Sequence, residues 1–115
     1  MNRKGFIAVH EGNDLMRELL ERWLGEAGYS VRPAAGESPR LVIADIPSPR
    51  VVPSRIEALR AVYAAPILVV SARFRRGLEG STEAAHRLGV RKVLPKPFTR
   101  EELLSAVDEM LEDTE

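Results

Sequence analysis

Residues 41–45 read LVIAD, four apolar residues followed by a single carboxylate. An uninterrupted apolar run of this length, bounded by polar and Pro-rich sequence, is typical of a strand that is buried on both faces of a parallel sheet. Similar runs are FIAV at 6–9, ILVV at 67–70 and the shorter KVL at 92–94. The sequence therefore predicts several parallel strands, with a further brief strand at 29–32.

The segments between these runs have a helical period. Apolar residues recur every three or four positions from Leu15 to Ala27, with Asn13 or Asp14 as the candidate N-cap and Gly28 closing the helix. Further helices are predicted at 54–64, at 82–88 and after Thr99, which forms a capping box with the Glu three residues later. Helices that alternate with apolar strands predict an α/β fold in which both faces of the sheet are covered.

Length and composition limit the classes of protein to consider. The chain has 115 residues, no cysteine, and 17 basic side chains against 17 acidic ones. This size predicts a single domain over 1–115 with a core of its own, and the absence of cysteine excludes a thiol nucleophile or a CxxC metal site. Zero net charge disfavours binding to nucleic acid through a broad basic field. No segment has the length of a signal-peptide core or a membrane span, so we expect a cytoplasmic protein without a membrane partner.

Polar side chains lie where the predicted strands end. They are His10, Glu11 and Asp14 after the first strand, and Asp45, Ser71 and Lys96 after later ones. In an open parallel sheet the ligand site lies beyond the carboxyl ends of the strands, so these groups are expected to converge. Carboxylates, a hydroxyl and an ammonium group together suit a hard cation and a phosphoryl group.

The order of these segments resembles that of response-regulator receiver domains of two-component signalling. The resemblance extends through FIAVHEGND, PRLVIADIPSP, PILVVSA and VLPKPFTREELL. It implies a flavodoxin-like three-layer α/β/α sandwich with a five-stranded parallel sheet in the order 2-1-3-4-5. It also implies that Asp45 accepts the phosphoryl group, that Ser71 and Lys96 assist the transfer, and that the Lys96–Pro97 peptide bond is cis.

The resemblance further implies a Mg²⁺ site formed by Glu11, Asp45 and the backbone carbonyl of Pro47. Receiver domains usually carry two adjacent acids after the first strand, whereas this chain has one there. If the helix is aligned without a gap, Glu11 and Gly12 occupy the pair and the direct metal ligand is lost. If the strand is aligned, His10 and Glu11 occupy it and the ligand is a longer carboxylate. Asp14 compensates only if the loop folds back.

Other departures from the family pattern affect switching and partner binding. The usual switch aromatic, three residues before the lysine, is Val93. Only 33–39 join the second and third predicted strands, and extended residues at about 3.3 Å each just span the crossing, so we expect the second helix to be missing. Its absence predicts an uncovered apolar surface that binds a partner or forms a homodimer. Arg73, Arg75 and Arg76 form a candidate patch for an acidic partner.

Three functions follow as hypotheses. The preferred one is a receiver domain that takes a phosphoryl group from a histidine kinase or phosphotransfer protein onto Asp45 and then acts on a downstream effector protein. The second is a pseudo-receiver, a phosphorylation-independent protein-interaction module. The third is a small metal-dependent phosphohydrolase, which is disfavoured because no second general acid or substrate cap is visible. The residues otherwise give no indication of a conventional enzyme.

Overall fold

The computed structural model describes residues 4–46, 52–71, 90 and 92–112. The strands in this part of the chain are β1 (Ile7–His10), β2 (Leu41–Asp45), β3 (Ile67–Ser71) and β4 (Lys92–Pro95). The helices are α1 (Asp14–Glu26), α2 (Val52–Val62) and α3 (Arg100–Glu112). Among the described residues, a helix follows β1, β2 and β4. The helix predicted at 82–88 lies outside the described residues.

The four strands form one parallel sheet in the order β1-β2-β3-β4. Their register pairs His10 with Ala44, Asp45 with Val70, and Ser71 with Pro95. The carboxyl ends of all four strands therefore meet at one edge of the sheet. This edge carries the polar residues that the sequence placed at strand ends.

The brief strand predicted at 29–32 is reduced to one residue. Ser30 forms an isolated parallel bridge with Phe6, on the side of β1 opposite β2. The predicted 2-1-3-4-5 order is thus kept, but the described sheet has four strands and a bridge in place of five strands. The Ser30 hydroxyl donates to the carbonyl of Arg32 at 2.6 Å and accepts from its N–H at 3.3 Å. These local hydrogen bonds bend the chain and end the pairing after Ser30.

The second helix of the family pattern is missing, as predicted. Residues 31–40 contain bends and a turn, with Gly36 at φ +76° and the N–H of Glu37 donating to the carbonyl of Ala34. Of the apolar sheet or helix surface that we expected to be uncovered, the sheet part is buried, because Phe6, Ala8 and Val42 have relative exposures of at most 7%. Large exposed apolar side chains in the described part are found on helices instead, at Leu15 and Val62.

The apolar side chains form one cluster on each face of the sheet, which confirms the three-layer prediction. On one face, α1 and α3 pack against β1 to β4. On the other, Ile56 and Leu59 of α2 pack against Ala8, Val42 and neighbouring strand residues. Within the described helices, no segment is long and apolar enough to cross a lipid bilayer.

Local capping fixes where the helices begin and end. Asn13 caps α1, accepting from the N–H of Met16 at 2.9 Å. Gly28, at φ +102°, closes the helix in a Schellman motif in which the N–H of Tyr29 donates to the carbonyl of Leu24. At α3 the predicted capping box is confirmed, since the backbone N–H of Thr99 and that of Glu102 each donate to the other's side chain. The loop at 11–13 lies at the carboxyl edge of the sheet because it joins the end of β1 to the start of α1.

Candidate functional site

Lys96 joins two carboxylates at the carboxyl edge of the sheet. It follows β4 directly, and its backbone N–H donates to the carbonyl of Ser71 at 2.9 Å. Its ammonium group donates to Glu11 Oε1 at 2.8 Å and to Asp45 Oδ1 at 2.9 Å. The Lys96–Pro97 peptide bond is cis, as the resemblance implied. Three residues predicted from separate strand ends therefore form one contiguous charged cluster.

Glu11 is the most buried member of this cluster. Its side chain is 2% exposed, and both of its carboxylate oxygens are engaged, since Oε2 accepts from the backbone N–H of Asn13 at 3.1 Å. Arg17 of α1 also donates to the Glu11 carbonyl at 3.4 Å. Gly12, the other candidate of the first alignment, has no side chain to contribute. Lys96 and the Asn13 backbone therefore hold the Glu11 carboxylate in one orientation.

Asp45 ends β2 and is more open than Glu11. Its side chain is 19% exposed. One oxygen accepts from Lys96, and within the described residues the other has no hydrogen-bond partner. Asp45 is thus an anion held in place on one side and accessible on the other, which is what an attack on an incoming electrophile requires.

The charge of the cluster stabilises the ammonium form of Lys96. Burial by itself lowers the pKa of Lys96, but hydrogen bonds to Glu11 and Asp45, together with the two negative charges, outweigh burial and raise the pKa above 10.5. Two carboxylates and one ammonium group leave the cluster with an excess of negative charge. A site of this kind favours a second cation.

Ser71 ends β3 and is fully buried. Its hydroxyl donates to the backbone carbonyl of Ile46, the residue after Asp45, at 2.7 Å. Ser71 therefore lies beside the end of β2, which carries Asp45. In this arrangement its proton stabilises the β2 backbone, which is the structural role expected of a buried strand-end hydroxyl.

Asp14 does not join the cluster. Its side chain is 82% exposed and pairs with Arg17 at 2.9 Å. The loop therefore does not fold back in a way that lets Asp14 replace the missing acid. Val93, at the position of the usual switch aromatic, is 1% exposed and packs in the core.

Pro47 with its metal-binding carbonyl, and the arginine patch at Arg73, Arg75 and Arg76, lie outside the described residues.

His10 has a partner that sequence reasoning missed. Its Nε2 shares a hydrogen bond with the Tyr63 hydroxyl at 3.0 Å, and the two rings meet edge to face with centroids 5.4 Å apart. Burial, and secondarily the charge of Arg55, lower the pKa of His10 below 6.5, which favours the neutral ring. Tyr63 lies within the helix predicted at 54–64. No local signal could pair these two residues, which are 53 positions apart.

The charged cluster offers two carboxylates to the predicted magnesium site. Within the described residues, no group of three or more His, Cys, Asp or Glu side chains could hold a metal ion. Glu11 and Asp45 nevertheless provide two carboxylates bridged by one ammonium group, and carboxylate oxygens are the ligands that Mg²⁺ prefers. The residues fit a hard cation held by two acids, provided that backbone or water oxygens complete the coordination.

Comparison with known proteins places this geometry in a known fold. No family model matches the chain, and no curated protein matches it in sequence. Among solved structures, a response regulator receiver protein from Burkholderia phymatum superposes with a TM-score of 0.72 at 21% identity, covering 95% of this chain and 96% of that one. The chain has the receiver-domain fold.

Two further receiver-type structures agree with this assignment. A CheY-like response regulator from Mesorhizobium loti has a TM-score of 0.63 at 28% identity, covering 95% of this chain and 99% of that one. A response regulator from Thermotoga maritima has a TM-score of 0.69 at 18% identity, covering 94% and 98%. Coverage of nearly the whole length on both sides shows that the receiver fold accounts for most of this chain.

Proposed function

We propose that this domain is a receiver that accepts a phosphoryl group on Asp45. The observation that carries the proposal is the contact of one ammonium group, Lys96, with both Asp45 and Glu11 at 2.8 to 2.9 Å. In the receiver fold this cluster lies at the carboxyl edge of the sheet, where the 19% exposure of Asp45 leaves it accessible. Accessibility and a fixed neighbouring cation are the two properties that a phosphoacceptor needs.

The proposed reaction moves one phosphoryl group. A carboxylate oxygen of Asp45 attacks the phosphorus of a phosphohistidine, the P–N bond breaks, and the imidazole leaves and takes a proton from water. An acyl phosphate remains on Asp45. Lys96 faces the attacked group and offsets the charge that spreads over the transferring oxygens. The donor is a histidine kinase or phosphotransfer protein, and the receiver of the signal is a downstream effector protein.

We further propose that Mg²⁺ assists this reaction, held by Glu11, Asp45 and the Pro47 carbonyl. The cation supplies charge neutralisation at the phosphoryl oxygens. Support comes from the excess negative charge of the cluster and from the burial of Glu11, which presents its carboxylate in one orientation. Because Lys96 already contacts both carboxylates, a metal ion must share them with the ammonium group, and we expect modest affinity.

A pseudo-receiver is the second candidate, and one contact favours it. The Ser71 hydroxyl donates to the backbone carbonyl of Ile46. This contact stabilises the resting fold without a phosphoryl group. In this alternative the domain binds its partner without being phosphorylated and without changing conformation.

Phosphorylation by a small donor separates the two candidates. The protein is incubated with acetyl phosphate and Mg²⁺, and its intact mass is compared with that of Asp45→Asn and of an EDTA-treated sample. The proposal predicts a gain of about 80 Da, one phosphoryl group, that requires both Asp45 and the metal. No gain in a folded sample contradicts phosphorylation by small donors and favours the pseudo-receiver.

A further inference from the structure

Helix α2 is joined to the end of β1 by the pair His10 and Tyr63. Their hydrogen bond is 3.0 Å long and their rings meet at an interplanar angle of 66°. Tyr63 follows α2 directly, and its N–H donates to the carbonyl of Leu59 at 2.8 Å, which continues the helical hydrogen bonding. Ile56 and Leu59 are buried in the core. Tyr63 is therefore carried by an anchored helix and holds His10 from a fixed position.

His10 is also the last residue of β1 that the sheet holds. The β1–β2 pairing ends at His10 and Ala44, and the next residue is Glu11. The carbonyl of Glu11 accepts a longer hydrogen bond, 3.4 Å, from the Arg17 side chain. His10, which contacts Tyr63, and Glu11, which belongs to the charged cluster, are thus joined by one peptide bond.

We propose that Tyr63 is a positioning residue for the candidate site. Through His10 it fixes the carboxyl end of β1, and with it the Glu11 carboxylate that holds Lys96 and accepts from Asn13. The purpose of this positioning, which is cation binding and phosphoryl transfer, depends on the proposed function. The positioning itself is a property of the resting fold and is measurable without phosphorylation.

The backbone amide of Asn13 reports on the Glu11 carboxylate, because it donates to Glu11 Oε2 at 3.1 Å. The test variant is Tyr63→Phe, which keeps the ring and removes the hydroxyl. The matched control is Tyr29→Phe, which removes the same atom from a tyrosine whose partner is Asp108. We expect Tyr63→Phe to shift the Asn13 amide resonance and to speed its hydrogen exchange by about threefold to tenfold, the weight of one hydrogen bond. Tyr29→Phe leaves both unchanged.

A second variant guards against a folding defect in the first. His10→Phe removes the same hydrogen bond from the other side and keeps an aromatic ring, so it must reproduce the change at Asn13. If the Asn13 amide is unchanged in the folded Tyr63→Phe and His10→Phe variants, the proposal is overturned.

Magnesium dependence provides the functional arm of the test. With acetyl phosphate as donor, we expect Tyr63→Phe to raise the half-saturating Mg²⁺ concentration at least threefold, with a smaller effect on the rate at saturating Mg²⁺. If Tyr63 only stabilised the fold, the half-saturating Mg²⁺ concentration would not change more than the rate at saturating Mg²⁺. If the wild-type protein takes up no phosphoryl group, the proposed function fails, while the Asn13 amide still decides whether Tyr63 positions Glu11.

Discussion

Lys96 and Asp45 form an ion pair of 2.9 Å although 51 positions separate them in the sequence. The parallel register of β2, β3 and β4 produces this contact by aligning the strand ends. Lys96 also binds Glu11 at 2.8 Å, so one cation serves two acids. Removal of the cation leaves two poorly solvated carboxylates side by side, and this makes Lys96 the residue on which the cluster most depends.

Lys96→Met is expected to destabilise the fold by about 2 to 3 kcal/mol at pH 7. This is less than the loss for a fully buried pair, because Lys96 and Asp45 retain 17% and 19% exposure. The matched control is Lys92→Met, which breaks an exposed pair with Glu109 and should cost less than about 1 kcal/mol. Urea unfolding of both variants checks this. Equal losses would show that the cluster contributes no more than a surface ion pair.

Glu11→Gln is expected to weaken the magnesium dependence of phosphorylation. The substitution removes the buried negative charge while keeping the shape of the side chain, so the half-saturating Mg²⁺ concentration should rise about tenfold or more. Asp14→Asn is the control, since its side chain is 82% exposed and pairs with Arg17. The measurement is the rate of mass gain against Mg²⁺ concentration. A larger effect at Asp14 than at Glu11 would contradict the assigned ligand.

Core packing can be tested with two leucines of the same helix. Leu20 has zero exposure and lies in the cluster formed with α3, whereas Leu15 is 79% exposed. Leu20→Ala should lower the free energy of unfolding by about 2 to 5 kcal/mol, and Leu15→Ala should change it by less than about 0.5 kcal/mol. Chemical denaturation measures both. If Leu20→Ala lowered the free energy of unfolding only slightly, the packing of α1 described here would be contradicted.

Tyr29 makes stability fall at alkaline pH. Its burial, followed by the charge of Asp108 and the 3.4 Å hydrogen bond to it, raises the pKa of Tyr29 above 10.0 in the folded state. The unfolded chain then loses the proton first, so this contribution is complete below pH 10.0 and is lost as the pH rises through the folded-state pKa.

Unfolding free energies of the wild type and Tyr29→Phe test this point. The difference between the two free energies should be constant near neutral pH. Above pH 10.0 the wild type should lose stability relative to Tyr29→Phe. Absorbance at the tyrosinate band, compared between the two proteins, gives the titration of Tyr29 directly. A Tyr29 that titrates below its ordinary value would refute the prediction.

The sequence was sufficient for features that depend on local pattern. Apolar runs identified the strands, and Asn13, Gly28 and Thr99 marked helix ends because caps are local interactions. The convergence of Asp45 and Lys96 followed from the rule that parallel strands end at one edge. The short connection at 33–39 correctly predicted the missing helix, since its length permits little else.

Features that depend on distant contacts were not predictable in this way. Two alignments placed Glu11 differently, and neither of them predicted its contacts with Lys96 and Asn13. The missing helix was expected to uncover apolar surface on the sheet or on a helix, and the sequence did not say which. The sheet residues Phe6 and Ala8 are buried with Ile56 and Leu59 of α2 in one cluster. The His10–Tyr63 hydrogen bond likewise arises from the way α2 packs, which sequence periodicity does not specify.

The most direct test of the account is to identify the phosphorylated residue. After incubation with acetyl phosphate and Mg²⁺, borohydride reduction converts an aspartyl phosphate to homoserine, and peptide mass spectrometry locates it. We expect homoserine at position 45 and at no other aspartate, with none in Asp45→Asn or after EDTA treatment. A folded protein that yields no homoserine, or yields it at another position, would contradict the assignment of Asp45 as the phosphoacceptor.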